Sequence, residues 1–499
     1  MPLRQSANAA LNAVIRRRIR RRARARYERR NAPSLSPRTT ALIVASALFM
    51  EQLDGTVLAT ALPDMARSFG TEPVRMNVAL TSYLLSLAVF IPASGKVADR
   101  FGSRTVFCAA IALFTAGSIL CAQAGSLTFL VGARIVQGIG GAMMVPVGRL
   151  VLLRSVTKAE MVVAMTWLMV PAQFGPLLGP PVGGFLVTYL SWHWIFYINV
   201  PIGLLGIALA LRYIADVREP GRVSFDLPGL VLSGLSLVCL MFGLETVSRG
   251  AAAWTVVGGV LAVGLAAGAL YVRHAGRHPT PVLDLRLMQV PTFALSVIGG
   301  GLSRVSAGAV PFLLPMMLQL GFGMSAASSG LITFSGSVGS MVMRFVARPV
   351  LHRWGFRTVM IWNGLIASGL LAGIAAMRPS WPLAAIYGLL LLGGFFQSLQ
   401  FTAYNTIAYA DIPRERMSAA TSFYTTFQQL NLTLGICVAA GALAGSILVT
   451  GHARPQLTDY STAFLVVAGV SFLASPTCTR LARDAGDELS GRAPVVRGS

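Results

Sequence analysis

Four ionisable side chains fall inside long apolar stretches of the chain: Glu51, Asp54, Arg134 and Arg304. A charge at membrane depth is costly and marks an ion path, a proton relay or a substrate contact. Glu51 and Asp54 lie three residues apart and so share a helix face. At a helical rise of about 1.5 Å per residue, Asp54 lies roughly 20 Å in from one membrane face. By the same arithmetic Arg134 lies roughly 10 Å in from the other, a similar level, so contact between them is geometrically possible. Burial raises the pKa of a carboxyl and a nearby guanidinium lowers it, so a conformational change that exchanges the two influences can load and release a proton. The alternative is a permanent ion pair that only holds helices together. A shift of 253 residues carries Glu51 onto Arg304, which suggests opposite charges facing each other across a central space; alternatives for Arg304 are snorkelling to an interface or attracting an anionic substrate.

Polar amides in the apolar stretches are the remaining candidates for a substrate lining: Gln137, Gln319, Gln397 and Asn405, with Gln173, Asn199, Asn363, Gln400, Gln428 and Gln429. Each could equally be an interhelical hydrogen bond. Gln137 carries most weight because it lies three residues from Arg134, on nearly the same face.

The elements that position these residues follow from composition. The chain has 499 residues, 55% hydrophobic and 12% charged. Soluble chains carry roughly twice that charged share. The apolar residues come in fourteen runs of about twenty, the length that crosses a hydrocarbon core, and without water to satisfy an open backbone these must be helices. The expected fold is an all-α polytopic membrane protein with fourteen spans. Lys and Arg alternate with them: thirty-four lie in the termini and even-numbered loops and five in the odd-numbered loops. That bias places both termini in the cytoplasm, with a bacterial inner membrane as the expected location.

A faint internal repeat supports two related halves. Asp99-Arg100-Phe101-Gly102-Ser103-Arg104 is echoed by His352-Arg353-Trp354-Gly355-Phe356-Arg357. The expected organisation is a basic tail (1–39), a six-helix bundle (40–215), two inserted helices with their loops (216–290), a second six-helix bundle (291–480) and a tail (481–499). The first forty residues hold twelve Arg against Glu28. They read as a cytoplasmic tail touching anionic lipid, with RNA binding or an Arg-rich targeting segment as alternatives; no nucleic acid is expected from the net charge of +23, which sits mostly in loops.

Several chemistries are excluded or unsupported. Neither Lys96 nor Lys158, the two lysines of the chain, has the glycines and hydroxyl residue of a phosphate-binding loop. The five cysteines (Cys108, Cys121, Cys239, Cys437 and Cys478) lack metal-ligand spacing and read as packing residues. No cofactor, metal or enzymatic activity is expected; the energy source is a proton gradient.

Five ordered motifs give the chain a family resemblance. Leu53-Asp54-Gly55-Thr56 through Ala61-Leu62-Pro63, Gly95-Lys96-Val97-Ala98-Asp99-Arg100-Phe101-Gly102-Ser103-Arg104 and Arg134-Ile135-Val136-Gln137-Gly138 are the first three. Gly175-Pro176, Gly179-Pro180 and Gly183-Gly184 form the fourth, and Trp192-His193-Trp194 through Asn199-Val200-Pro201 the fifth. Together, over roughly residues 40–480, they resemble the major facilitator superfamily, in particular its fourteen-span drug:proton antiporter branch. The resemblance implies that Asp54 is the proton-linked carboxylate and Arg134 its partner. It implies that Gly95, Asp99, Arg100, Gly102 and Arg104 belong to a cytoplasmic gate loop, and that Gly175 to Gly184 mark export rather than uptake. His193, Ser103 and His352 depart from that pattern. Glu51 and Arg304 lie outside it. The expected function is export of amphipathic drugs or small metabolites by a monomer, alone or with accessory export proteins. An importer of a small nutrient and a non-transporting receptor are the alternatives.

Overall fold

In the computed structural model, the described residues are 37–155, 161–214, 226–249, 254–279, 281–413, 416–452, 454–482 and 485–486. The basic tail up to residue 36, Lys158 and residues 487–499 lie outside them, as does the Gln173 side chain. The helices are α1 (Pro37–Ser68), α2 (Asn77–Phe101), α3 (Ser103–Ala122), α4 (Leu127–Ser155), α5 (Met161–Tyr189) and α6 (Trp194–Tyr213). After them come α7 (Leu227–Arg249), α8 (Trp254–Arg277), α9 (Pro291–Met316) and α10 (Ala326–Trp354). The last four are α11 (Phe356–Ala375), α12 (Leu383–Ile407), α13 (Met417–Thr450) and α14 (Leu457–Phe472). Thirteen spans among the described residues are long and apolar enough to cross a membrane. The helix outside that count, α5, has 29 residues and four internal prolines and lies against α1 and α10. The chain is thus an all-α multi-pass membrane protein.

The packing repeats itself. In the first half α1 packs on α5, α2 on α4, and α3 on α4 and α6; in the second α9 packs on α13, α10 on α12, and α11 on α12 and α14. The two halves meet through α2 with α13 and α5 with α10, which are corresponding pairs. The short turns after α2 and α10 also match. Gly102 (φ 98°) and Gly355 (φ 73°) each end a helix, donate to the carbonyl four residues back (Ala98, Leu351) and start the next helix. A positive φ is open to glycine without a Cβ penalty, which is why a glycine is among the letters the two loops share.

Glycines set how closely the helices approach. A Cβ on Gly140 would lie 2.8 Å from the Ala110 carbonyl oxygen, which joins α3 to α4. Gly308 and Gly435 face each other's helix backbones across the α9–α13 contact. Without a hydrophobic driving force between helices in lipid, this close approach supplies the packing.

The two halves are joined unequally along the membrane normal. Call the end where α1 begins the terminus side and the opposite end the far side. On the far side one hydrophobic core includes Leu53, Val57 and Met65 of α1, Val187 of α5, Phe312 and Met316 of α9, Ala326 of α10 and Ala439 of α13. On the terminus side the cores are separate: one around Val44, Phe107 and Val151, others around Phe293 and Phe423 and around Met343 and Phe356. Hydrogen bonds between the halves also lie towards the far side, from Gln319 Nε2 to the Thr60 carbonyl (3.0 Å), from the Ala327 amide to Thr188 Oγ1 (2.9 Å) and from Ser337 Oγ to the Pro176 carbonyl (3.2 Å). The halves are thus closed together on the far side, while on the terminus side their apolar cores are parted.

The inserted pair α7–α8 runs along this seam, with α7 against α2 and α13. Its attachment is polar and lies at the terminus side. Asp226 accepts from the Gly229 amide (2.9 Å), the Val282 amide (3.2 Å) and His274 Nε2 (2.7 Å), and Tyr271 donates to the Leu283 carbonyl (2.8 Å). Burial alone would push the Asp226 carboxyl up; the bonds from His274, Gly229 and Val282 outweigh it and hold the group below the usual carboxylate range. A depressed carboxyl contributes stability above its unfolded pKa, about 3.9, and loses it as pH falls through the folded value. Asp226→Ala should therefore lower the melting temperature at pH 7, at a cost of about 1–3 kcal/mol for the stranded donors. The same substitution should matter less as the pH approaches 3. Thermal unfolding in detergent at both pH values checks it; an equal effect at both would remove the carboxylate from the anchor.

Candidate functional site

Asp54 is 3% exposed, in the middle of α1. Its Oδ2 accepts from Arg134 Nη1 at 2.6 Å, and its Oδ1 accepts from Gln137 Nε2 (2.9 Å) and Asn199 Nδ2 (3.0 Å). The level reached by counting residues along α1 and α4 is the level at which the two charges meet. Gln137 also accepts from Arg134 Nη1 (2.6 Å) and donates to Ser118 Oγ (2.7 Å), which Asn199 reaches as well (3.2 Å). Arg134 is fully buried, donates from Nε to the Ala79 carbonyl (3.0 Å) and lies 4.2 Å from the Tyr83 ring centre. Five helices, α1, α2, α3, α4 and α6, thus converge on one carboxylate.

A buried ion pair contributes little net stability, since desolvation offsets the Coulomb attraction. What the cluster provides is a titratable group at a fixed position. Its fit is incomplete: Arg134 Nη2 and Asn199 Oδ1 have no hydrogen-bond partner among the described residues. These unfilled positions leave room for a different set of bonds when the helices shift.

The glycine-rich stretch of α5 is the wall behind this carboxylate. A Cβ on Gly175 would lie 2.7 Å from Gln52 Cβ, one on Gly179 would overlap Thr56, and one on Gly183 would lie 2.6 Å from the Val57 carbonyl oxygen. These three glycines, four apart, seat α5 along the stretch of α1 that carries Asp54. Gly184 points elsewhere: its Cβ would lie 2.9 Å from Ala327 Cα of the other half. On the same helix α10, Gly330 packs against the Pro180 carbonyl and Ser337 Oγ donates to the Pro176 carbonyl. The motif therefore touches the carboxylate helix with one face and the opposite half with the next.

The other candidates separate. Glu51 is 7% exposed and its Oε2 has no hydrogen-bond partner among the described residues. Arg304 is held by Asn405 Oδ1 and Tyr424 Oη (both 3.2 Å) within its own half, so the pairing of Glu51 with Arg304 suggested by the repeat is not formed in this state. Gln397 donates to Ser306 Oγ (3.0 Å) and joins α12 to α9. Gln319 sits in a π-helical turn, Met317–Gly321, at the far-side closure. Asn363 and Gln400 bond each other (2.7 Å). In the loop after α2, Arg104 Nη1 donates to the Ile214 carbonyl at the end of α6 (3.1 Å), and the Arg100 guanidinium lies 5.4 Å from the Phe101 ring centre. Ser118, Tyr83, Phe401 and Tyr424 had no place among the expected site residues. Only the last two left a signal: Gln397, Phe401 and Asn405 recur every four residues, as do Tyr424 and Gln428, each set marking one helix face.

Two halves of matching packing, closed at one end and parted at the other around a buried titratable cluster, define a secondary transporter. The chain belongs to the Major Facilitator Superfamily, whose sequence pattern matches residues 44–436 and 298–494. It is 41% identical over 411 residues to MdtD of Salmonella typhimurium, a protein named for multidrug resistance, covering 81% of this chain and 85% of that one. MdtD of Salmonella heidelberg is 41% identical over 407 residues. Among solved structures, a D-xylose-proton symporter shares the fold with a TM-score of 0.64 at 15% identity, over 89% of this chain and 97% of that one. The nucleoside transporter NupG does so with a TM-score of 0.61 at 15% identity, over 89% and 98%. Membership in this family makes the chain a carrier of small molecules, with no chemical transformation of its cargo.

Proposed function

We propose that the protein exports amphipathic drugs or small metabolites by proton antiport, through alternating access between the two halves. The observation that carries this reading is the buried Asp54, bonded through both oxygens, beside the glycine face of α5. Oδ1 already accepts two bonds and Oδ2 one, so a proton on Oδ1 displaces Gln137 or Asn199 and a proton on Oδ2 removes the charge that holds Arg134. Either way protonation loosens the cluster. Gly175, Gly179 and Gly183 pass a shift of α1 to α5, and Gly184 with Pro180 passes it to α10 at the far-side closure. The multidrug name of the MdtD relatives supports the cargo class.

In this reading the terminus side faces the cytoplasm of a bacterial inner membrane, as the Lys and Arg at that side require. The parted state is then the one that loads cargo from inside. Met161–Tyr189 is a fourteenth span, and the chain acts as a monomer without a cofactor. Accessory export proteins would extend the route outward. The test is transport in proteoliposomes under an imposed pH gradient, over cationic, neutral and anionic compounds. At least one compound should move against the proton flow and accumulate about tenfold per proton exchanged for a pH difference of about one unit, since about 1.4 kcal/mol is a tenfold concentration ratio. Movement indifferent to the gradient for every transported compound overturns proton coupling.

A further inference from the structure

Arg304 is a second buried guanidinium, 4% exposed, and its surroundings differ in kind from those of Arg134. Arg134 has the Asp54 carboxylate; Arg304 has no ion pair with a carboxylate among the described residues. Nη2 is the nitrogen that is bonded, to the neutral oxygens of Asn405 and Tyr424. Nε is buried without a hydrogen-bond partner among the described residues. At least one of the five N–H donors of a guanidinium, that on Nε, thus remains unfilled among the described residues. The Phe401 and Tyr424 ring centres lie 5.0 and 5.1 Å from its Cζ.

A cation at membrane depth without a counter-charge costs several kcal/mol, and such residues pair or face a water-filled space. The face that bears these groups is not a lipid face. Gln397, Phe401 and Asn405 follow one stripe of α12, and Gln428 of α13 donates to the same Asn405 oxygen that Arg304 uses. Phe401, on this stripe and 5.0 Å from the guanidinium, is 46% exposed, so one ring beside Arg304 is open to a ligand.

We propose that Arg304 binds the anionic group of the cargo, with Phe401 and Tyr424 receiving an adjacent aromatic or apolar portion. The cargo class is then an amphipathic organic anion, a carboxylate above all. The inference rests on the transport reading above but not on its coupling ion. The anion supplies the missing counter-charge, and the aromatic pair explains why a guanidinium, which stacks on rings, stands there.

The test uses the full-length protein in detergent and three probes of one skeleton: 4-phenylbutyrate, 4-phenylbutanamide and 4-phenylbutylammonium, titrated by calorimetry. The carboxylate should bind at least about tenfold more tightly than the amide or the amine, the scale of a charge-assisted hydrogen bond. Arg304→Gln should reduce carboxylate affinity to that of the amide and leave the amide unchanged. Asn405→Asp adds a tethered carboxylate 3.2 Å from Nη2, so the fold is kept while the free carboxylate is displaced by a similar factor. Tighter binding of the amine, no carboxylate binding at millimolar concentration, or a carboxylate preference unchanged in both variants overturns the proposal. Gradient-driven transport confined to cations would defeat it and leave proton antiport standing. Arg304-dependent carboxylate binding in a protein whose transport ignores the gradient would do the reverse.

Discussion

Asp54→Asn is expected to yield a protein that still inserts into the membrane and still has its helices, but has lost transport driven by a pH gradient. The loss should be about 10²-fold or more, the scale on which removal of a proton-transferring side chain acts. Asn has nearly the size of Asp and keeps one oxygen acceptor. Its amide nitrogen must then face Arg134 Nη1 or the pair Gln137 and Asn199, all donors. One N–H thus opposes another, and a fully buried guanidinium loses its counter-charge. Breaking a buried ion pair in this way costs about 3–5 kcal/mol, so the variant should also melt earlier. Thermal unfolding in detergent separates the two effects. Asp54→Glu, which retains the charge with one more methylene, should recover part of the gradient-driven rate, whereas a purely structural pair would be served by either acid and would leave coupling intact. The rate is read in proteoliposomes with and without the gradient. Asp54→Asn transporting at the full gradient-driven rate would remove this carboxylate from the mechanism.

Much of this site could be read from the chain because it depends on depth. Rise per residue put Asp54 and Arg134 at one level, and the structure closes the gap to 2.6 Å. The loop glycines also showed through: Gly102 and Gly355 are repeated letters because both turns need a positive φ. What could not be read is which helices stand side by side. Counting residues gives no neighbour, so Ser118 of α3 and Asn199 of α6 entered the Asp54 cluster only through packing. Glu51 and Arg304 match by the 253-residue shift yet stay apart, because Asn405 and Tyr424 capture the guanidinium inside its own half. Gln319 was a candidate for a substrate lining; the π turn at the end of α9 carries it to the far-side closure instead. Gln137 was weighted for its face beside Arg134, and that face proves fully buried against Asp54.

The far-side closure yields the other large effect. Gly330→Ala should move the protein out of the state seen here. A Cβ on Gly330 would overlap the Pro180 carbonyl oxygen, lie 2.9 Å from the Pro180 carbonyl carbon and 3.4 Å from Pro181 Cα. All three are backbone or ring-anchored atoms, so no rotamer can relieve the contact and α5 must move away from α10. Within one half, such overpacking strains a core by about 1–3 kcal/mol. If the halves part as proposed above, the same energy is relieved by parting, which shifts the population of the far-side-open state by about tenfold to a hundredfold. Leu318, fully buried in the shared far-side core, reports the change. In a background without the five native cysteines, Leu318→Cys should react with an impermeant maleimide about tenfold faster when Gly330 is Ala. Gly388→Ala is the control, since a Cβ there meets nothing within 4 Å. Labelling rates equal in the two backgrounds would mean that the contact of α5 with α10 does not hold the far side shut, and the route from Asp54 through the glycine motif to the closure would fail with it.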